Sequence, residues 1–450
     1  MHTHAVRLAF ILFCLALLLG CQSEDQATTT PPAAARADIA DVEAGIRNYI
    51  DEQTAAGDGF FHVENDSLSL DLKLVRVHTE YLSVLGPNEF FACVDLATET
   101  GDVYDVDFFL DGEPGNMSVT RTDIHKRNGR PFYTWKRGED NTWHTVPVKS
   151  ASEELLGVLR GKDQFTFTYE VDLPDLSAPA QLWLPLAQTD RFQQIKILSI
   201  EAPGDTQRIS EPQHGNEALF LTLTPKHSQQ KVRIRYQVER LEKAAYREDD
   251  TNLSRYLTEA PLLPTGGRFD TIARQVFSER EATTPLMKAR ALYDYVSDNM
   301  RYAKQGTYGT GDANFACDAK SGNCTEFHAL FISLARTADI PARFAVGAAI
   351  PSSRNDGGVN GYHCWAEFYA DGKWWPVDIS EANKYADLST YYFGHHPANR
   401  IELSKGRNLQ FSPGPQSGPI SFFAYPILEI NGVEVPVSKT TFTFLRSQEG

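Results

Sequence analysis

The sequence predicts an α+β protein of three successive units, and three changes in hydrophobic periodicity carry that prediction. Residues 38–150 begin with one amphipathic helical pattern and continue as strands. Residues 160–245 are dominated by strand patterns, whereas residues 255–437 open with helical stripes and close with hairpins. Helical and strand patterns therefore occur in blocks and do not alternate regularly, which is typical of α+β folds.

The first unit, residues 38–150, is predicted from one helix followed by a meander of strands. Apolar residues recur at helical spacing over residues 39–50, and four alternating segments follow. This order resembles a small cystatin-like or NTF2-like unit. Its acidic residues Asp102, Asp105 and Asp107 are predicted to lie on a solvated strand face, with calcium ligation as the alternative.

The second unit, residues 160–245, is predicted to be an antiparallel sheet or β-sandwich. Residues 165–171 and 232–238 alternate apolar and polar side chains, as expected for strands with one buried face. Such a unit either holds a substrate or braces the neighbouring unit.

The third unit contains a cysteine at the start of a predicted helix. Asn323 is a suitable N-cap, and Pro341 marks the end of the segment. Cys324 then falls in the first turn, where unpaired N–H groups and the helix dipole favour a thiolate. The helix is predicted because apolar residues recur at the spacing of one helical face: Phe327, Leu330, Phe331, Leu334, Ala335 and Ala338.

A hairpin follows this helix and carries a histidine and an aspartate. His363 opens an aromatic-rich strand, and Asp371-Gly372 is a strong signal for a two-residue turn. Counting back through that turn places Asp378 opposite Trp365. Because side chains alternate along a strand, His363 and Asp378 are then diagonal neighbours on one face.

Cys324, His363 and Asp378 together suggest nucleophilic catalysis. A thiol, an imidazole and a carboxylate in this order match the needs of an acyl-transferring cysteine, because the imidazole accepts the thiol proton while the carboxylate orients the ring. Each residue alone has a simpler structural explanation, but here each lies in the secondary structure that the chemistry requires.

Four motifs follow one another in this stretch: Gly322-Asn323-Cys324-Thr325-Glu326-Phe327, Ile340-Pro341-Ala342-Arg343-Phe344-Ala345-Val346-Gly347, His363-Cys364-Trp365-Ala366-Glu367-Phe368-Tyr369 and Trp375-Pro376-Val377-Asp378. Together they resemble the transglutaminase-like core, which belongs to the papain-like superfamily. The resemblance covers residues 255–400 and implies a Cys324 nucleophile, a His363 base and an orienting Asp378.

The resemblance implies a cysteine peptidase, amidase or acyltransferase that forms a thioester on a peptide or protein. It leaves hydrolysis and transamidation open, since the family includes crosslinking, peptidase, amidase and deglycosylating enzymes. A non-catalytic binding or assembly module in the cell envelope is the alternative. The oxyanion is expected to meet the first-turn N–H and one side chain, for which Tyr302, Gln305 and Tyr308 are candidates.

The amino terminus predicts export and lipid attachment. Residues 1–20 hold an apolar run that is too short to span a bilayer comfortably and is typical of a signal peptide. Leu18-Leu19-Gly20-Cys21 resembles the bacterial lipobox, which implies lipid on Cys21. Gln22 after the cysteine favours the outer membrane, facing the periplasm. Residues 21–37, rich in Ala, Thr and Pro, are predicted to form a disordered tether.

Composition constrains the partners. Lys and Arg total 43 against 59 Asp and Glu, giving a formal net charge of −16. An acidic chain is not expected to bind nucleic acid, or to dock electrostatically on anionic lipid. The expected partners are therefore a peptide or protein substrate and, through Cys21, the membrane, while no cofactor or metal is predicted.

The remaining cysteines leave a question of pairing. Cys93 lies in an apolar segment and is predicted to be a buried thiol. Cys317 and Cys364 could form a disulfide in an oxidising compartment. A zinc site from these two residues with Cys324 and His363 matches no familiar spacing, and neighbouring strand residues are expected to face opposite ways.

Overall fold

The computed structural model describes residues 37–64, 69–85, 88–137, 143–147, 157–248, 252–304, 308–384 and 388–446. In these ranges the chain is a mixed structure of strands and fewer helices, mostly β. The predicted signal peptide, Cys21, all but the last residue of the tether, and Gln305 lie outside the described residues. No helix within them is long and apolar enough to cross a bilayer.

The N-terminal part is one helix packed on a six-stranded antiparallel sheet whose strands follow chain order. The helix begins at a capping box in which the side chains of Asp38 and Asp41 each accept from the other's backbone N–H. Its buried side chains, including Val42 and Ile46, contact one sheet face. The elements are α1 (Ile39–Ala56), β1 (Phe61–Glu64), β2 (Ser69–Val84), β3 (Glu89–Thr98), β4 (Val103–Glu113), β5 (Asn116–Arg127) and β6 (Arg130–Pro131).

Acidic side chains on the opposite face of this sheet are buried. Asp107 is 0% exposed and Asp105 is 6% exposed, so the prediction of a solvated acidic face is wrong for both. The reason is tertiary: Tyr133 contacts Asp107 from a separate hairpin, which alternation along one strand cannot reveal. That hairpin consists of β7 (Tyr133–Arg137) and β8 (Trp143–Pro147).

Two five-stranded sheets face each other in the next part and share one hydrophobic core, which contains Phe167, Leu182 and Ile234. The strands are β9 (Lys162–Asp172), β10 (Ala180–Leu186), β11 (Gln193–Glu201), β12 (Asp205–Ser210), β13 (Glu217–Leu223), β14 (Lys231–Leu241), β18 (Asp356–Val359), β22 (Ile427–Ile430), β23 (Val433–Val435) and β24 (Lys439–Arg446). Their orders are β12-β13-β10-β22-β23 and β11-β14-β9-β24-β18.

The C-terminal strands complete these sheets. A hairpin does form at Asn431-Gly432, as its sequence predicts, but β22 pairs with β10 and β24 pairs with β9. The sequence pattern groups this hairpin with residues 255–437. Its apolar side chains, such as Leu428, are instead buried in the sandwich core, and burial decides where the strands pair.

Helices and a four-stranded sheet of order β20-β19-β17-β21 form the remaining part. The central helix, α5, is buried from Cys324 to Ala335 and lies against this sheet. The elements are α2 (Arg268–Glu279), α3 (Pro285–Asn299), β15 (Arg301–Tyr302), α4 (Ala313–Ala319), β16 (Ser321–Gly322), α5 (Cys324–Thr337), β17 (Ala342–Ala349), β19 (His363–Ala370), β20 (Lys373–Val377), α6 (Ile379–Lys384) and β21 (Arg400–Lys405).

The hairpin β19–β20 has the register that its turn predicts. Asp371 and Gly372 have φ of 52° and 76°, as a two-residue turn with positive φ at both positions requires. The ladder runs from the pair Ala370–Lys373 to the pair Ala366–Val377 without a bulge. Asp378 therefore follows directly after the last pair and lies opposite the residue before Ala366, as predicted.

A buried ion cluster fixes β19 to the chain segment that follows β14. Glu367 is 2% exposed and accepts from Lys243 Nζ at 2.8 Å and from Arg343 Nε at 2.7 Å. Tyr246 donates its hydroxyl to the same carboxylate at 2.9 Å. Burial raises the pKa of Glu367, but the two cations outweigh it and hold that pKa well below its usual value. The strand that begins at His363 is thereby anchored from both sides.

Candidate active site

Cys324 is the first residue of α5, and its backbone is held by an N-terminal capping box. The Asn323 side chain accepts from Thr325 N–H at 2.8 Å, and Glu326 accepts from Asn323 N–H at 3.0 Å. The helix therefore begins where the sequence predicts, and it ends at Thr337. The first-turn N–H of Cys324 lies outside the intrahelical ladder and can donate to a developing oxyanion.

His363 and Asp378 are brought together at the open end of the hairpin. His363 Nε2 lies 2.7 Å from Asp378 Oδ2, and the two side chains are almost fully buried. With Nε2 directed at the carboxylate, Nδ1 is the ring nitrogen left for another partner. The His363 imidazole also interacts with the Cys324 side chain, which raises the pKa of the ring. The structure thus places the three predicted residues in one chain of contacts.

Asp378 accepts donors at both of its oxygens. Arg400 Nη2 lies 2.6 Å from Oδ2, while the Ser380 hydroxyl and Glu381 N–H donate to Oδ1 at 2.9 and 3.1 Å. Burial raises the pKa of Asp378, but the charges of His363 and Arg400 outweigh it and keep that pKa well below its usual value. The carboxylate therefore stays ionised and can balance a positive imidazole.

The electrostatics favour a thiolate–imidazolium pair. Burial alone would raise the pKa of Cys324, yet hydrogen bonds from Cys364 and His363 and the charge of His363 lower it well below its ordinary value. Burial would lower the pKa of His363, but Asp378 and Cys324 together raise it to about 9. A low thiol pKa with a high imidazole pKa means that the proton resides on the ring.

His328, which the sequence analysis did not single out, supports the nucleophile from within α5. Its Nδ1 lies 2.7 Å from Cys324 O, and its Nε2 lies 3.1 Å from Ile379 N–H. A carbonyl only accepts and an N–H only donates, so the neutral ring carries its proton on Nδ1. Burial lowers the pKa of His328, which keeps this neutral form. The sequence feature that could have identified His328 is its position one helical turn after Cys324.

Cys364 and Cys317 are both free thiols, so the disulfide left open by the sequence is not formed. Cys364 Sγ lies 3.9 Å from both Thr325 Oγ1 and His328 Nδ1, and burial together with the nearby Cys324 raises its pKa. Neighbouring strand residues are expected to face opposite ways, yet both His363 and Cys364, at the start of β19, interact with Cys324, the first residue of α5.

The structure describes two of the three candidate side-chain donors for the oxyanion, Tyr302 and Tyr308. Tyr302 is half-buried, and burial together with the nearby Cys324 raises its pKa to about 12, so its hydroxyl keeps its proton. Tyr308 is 41% exposed. Tyr362, which the sequence analysis did not name, donates or accepts at Thr325 Oγ1 at 2.9 Å and accepts from Asn323 Nδ2 at 2.7 Å. Tyr302 is the stronger of the two described candidates.

His395 and His396 are adjacent histidines in a predicted loop, where such residues are usually exposed, but the structure buries both. His395 is 4% exposed and His396 is 0% exposed. His396 Nε2 lies 3.0 Å from Val377 O and its ring meets Trp365 edge-on, so it packs behind the site. Solvent exposure was wrong here because two backbone hydrogen bonds between Lys243 and His396 draw the loop into the core.

Comparison with known proteins identifies the region that holds these residues. Residues 270–379 match the model of the transglutaminase-like superfamily. The chain carries a transglutaminase-like core. Cys324, His363 and Asp378 all fall within the matched residues of that core. The strands of the sandwich lie outside it, except β18.

One curated relative and two solved structures are similar to the chain over ranges longer than the transglutaminase-like core. An uncharacterized protein of Haemophilus influenzae is 26% identical over 319 residues, which is 60% of this chain and 86% of the relative. A candidate cysteine protease from Cytophaga hutchinsonii has a TM-score of 0.41 at 15% identity, covering 64% of this chain and 98% of that one.

The second structure is the periplasmic domain of TgpA from Pseudomonas aeruginosa. Its TM-score is 0.30 at 15% identity, and the similarity covers 65% of this chain and 93% of that domain. Both structural similarities are low. The assignment of the transglutaminase-like core therefore depends on the sequence match over residues 270–379.

Proposed function

We propose that the protein is an exported, lipid-anchored thiol enzyme of transglutaminase-like type, which cleaves or transfers an amide acyl group on a peptide or protein. The observation that carries the proposal is the buried contact chain from Cys324 through His363 to Asp378. The pKa values support it, since that of the Cys324 thiol is lowered while that of the His363 imidazole is raised to about 9.

In the first half-reaction, the Cys324 thiolate attacks the amide carbonyl and His363 holds the proton. The carbonyl oxygen becomes an oxyanion at the N-terminus of α5, where the Cys324 N–H and the Tyr302 hydroxyl are the candidate donors. Protonated His363 then gives its proton to the departing amine, and the acyl group remains on sulfur as a thioester.

In the second half-reaction, His363 accepts a proton from an incoming nucleophile. Water yields a carboxylic acid, whereas an amine yields a new amide, and either step regenerates the thiol. Asp378 keeps Nε2–H of His363 directed at the carboxylate, so that Nδ1 faces the reacting atoms in both steps. Arg400 and Ser380 hold the carboxylate in that position.

Products from a peptide pool distinguish the two reactions and test the proposal. We expect the purified protein to convert pool peptides into acids and, when a primary amine is added, to give either the same acids or new amides. Mass spectrometry separates these outcomes. The matched control is Cys324→Ala, which should lower turnover by at least about 10⁴-fold because the nucleophile is lost. Unchanged turnover in that variant contradicts the enzyme proposal.

The alternative, a non-catalytic binding or assembly module, gives a different outcome in the same experiment. It predicts no conversion of any peptide, together with binding that Cys324→Ala leaves intact. The low thiol pKa at Cys324 is better explained by the enzyme, because a binding groove has no need of an ionised sulfur.

Localisation in the envelope depends on Cys21 as the lipid attachment site. The signal-peptide pattern before it and the tether composition after it support export followed by anchoring. We expect Cys21→Ser to move the protein from the membrane fraction to the soluble fraction when cells are fractionated. Retention of that variant in the outer membrane would contradict lipid anchoring. The cystatin-like or NTF2-like likeness of residues 38–150 remains a prediction.

A further inference from the structure

A second group of reactive side chains lies on the polar face of the N-terminal sheet. One sulfur, nitrogen or oxygen atom from each of Cys93, Asp105, Asp107 and His125 lies within 4.8 Å of all the others. Cys93 on β3 pairs directly with Asp107 on β4, and Asp105 is two residues away on the same face. These side chains come from three adjacent strands.

A bulge in β5 adds the histidine to this group. Ile124 pairs with Val106 and Lys126 pairs with Asp105, so His125 is the extra residue between two successive pairs. A bulge re-aims a side chain that would otherwise follow the alternation of its strand. Ile124 packs with the apolar core on one face, while Lys126 contacts Asp105 on the other.

The ring of His125 is oriented as a metal-ligating histidine would be. Its Nε2 lies 3.1 Å from Tyr133 O, and a carbonyl only accepts, so Nε2 carries a proton. In the neutral ring Nδ1 then presents a lone pair 3.4 Å from Asp107 Oδ1 and forms no hydrogen bond. Two lone-pair atoms as close as His125 Nδ1 and Asp107 Oδ1 favour a cation between them. The contact with Tyr133 O also fits, because histidines that bind a metal commonly donate their other N–H to a backbone carbonyl.

Asp105 gives independent evidence for a missing positive partner. The residue is 6% exposed, and its Oδ2 accepts from Lys126 Nζ at 2.8 Å. Its Oδ1 is buried and has no hydrogen-bond partner. A buried acceptor without a donor costs free energy, and a bound ion removes that cost.

The charges also fit a divalent ion. Without an ion, the Cys93 thiol donates to Asp107 Oδ1 at 3.2 Å. A divalent ion would displace that proton and bind the thiolate. Two carboxylates, one thiolate and the ion then sum to −1, which Lys126 neutralises.

We propose that Cys93, Asp105, Asp107 and His125 form a zinc-binding site that ties β3, β4 and β5 together. One sulfur, one imidazole nitrogen and two carboxylate oxygens suit four-coordinate zinc. Calcium, the alternative raised for this acidic segment, takes six to eight oxygen ligands and has no use for the sulfur. Because Asp95, two residues after Cys93, pairs with Arg290 of α3 at 2.7 Å, the site would also stiffen the sheet at its contact with α3.

Cobalt binding tests this site, because Co²⁺ replaces zinc and reports thiolate ligation by a charge-transfer band in the near ultraviolet. All proteins carry Cys324→Ala, which keeps the triad thiol from binding the metal, and are treated with a chelator before titration. We expect one Co²⁺ per chain, a thiolate band and displacement of cobalt by zinc. Zinc should also raise the melting temperature.

The decisive variant is Cys93→Ser, whose hydroxyl can still donate to Asp107 and preserve the fold. We expect it to lose the thiolate band and the zinc-dependent rise in melting temperature, while Cys317→Ser keeps both. Asp105→Asn should weaken cobalt binding by at least about tenfold. No saturable cobalt binding, or a thiolate band that survives in Cys93→Ser, would overturn the proposal.

Discussion

Asp378→Asn is expected to lower turnover by about 10⁴-fold, although it changes only one atom of the side chain's functional group. Both Asp378 oxygens accept hydrogen bonds, from Arg400 and His363 on one side and from Ser380 and Glu381 on the other. Asparagine has one acceptor oxygen, so its NH₂ must face donors in either orientation. If the NH₂ group faces His363, Nε2 loses its acceptor. If it faces Ser380 and Glu381 instead, those two donors lose theirs.

The same change should also destabilise the fold, by roughly 1–3 kcal/mol, because it leaves buried donors without an acceptor. Asp371→Asn is the matched control: it makes the same chemical change at the turn of the same hairpin, where asparagine tolerates positive φ. We expect Asp371→Asn to retain near wild-type turnover and melting temperature. More than a tenth of wild-type turnover in folded Asp378→Asn would contradict an orienting role for this carboxylate.

The parts of the site that follow from local rules were predictable from the sequence. The capping residues Asn323 and Glu326 fix the start of α5, and Asp371-Gly372 fixes the register that puts Asp378 beyond the last strand pair. These features depend on neighbours within a few residues, for which the chain itself carries the signal.

The parts that depend on distant partners were not predictable. Arg400 reaches Asp378 from β21, and nothing around Arg400 in the chain distinguishes it from an exposed arginine. Asp105 and Asp107 were expected to be solvated because charged strand residues usually are, yet both are buried, and Tyr133 of a separate hairpin contacts Asp107. Which face of an antiparallel sheet is covered is decided by packing, and a single strand cannot show it.

His328 falls between these two cases. It lies one turn after Cys324 on a helix that is buried on all sides, so its burial follows from α5 becoming the core of this part. His328 bridges Cys324 O and Ile379 N–H, and this bridge forms only when the hairpin is in place. Helical spacing alone would have identified the residue but not its partner.

The pH dependence of Cys324 alkylation separates an ion pair from an ordinary thiol. In the wild-type protein the thiolate exists above the lowered pKa of Cys324, and the imidazolium persists until His363 deprotonates at about pH 9. Alkylation should therefore be fast and nearly constant from weakly acidic pH to about 9. Turnover should fall above that pH, because neutral His363 cannot protonate the departing amine.

His363→Ala removes the hydrogen bond and the charge that lower the pKa of Cys324. The alkylation rate should then rise with pH in step with thiol ionisation. At pH 6.5 it should be lower than in the wild-type protein by roughly 100-fold or more, since an ordinary thiol with a pKa near 8.5 is about 1% ionised there. Modification of Cys317 in the same samples serves as the reference thiol.

The single most direct measurement is thus the rate of iodoacetamide modification of Cys324, followed by mass spectrometry of its peptide across pH 5–10 in both proteins. A flat profile for the wild-type protein and a rising one for His363→Ala support a thiolate held by an imidazolium. Superimposable profiles, both rising with pH, would contradict it, because sulfur and ring would then ionise independently.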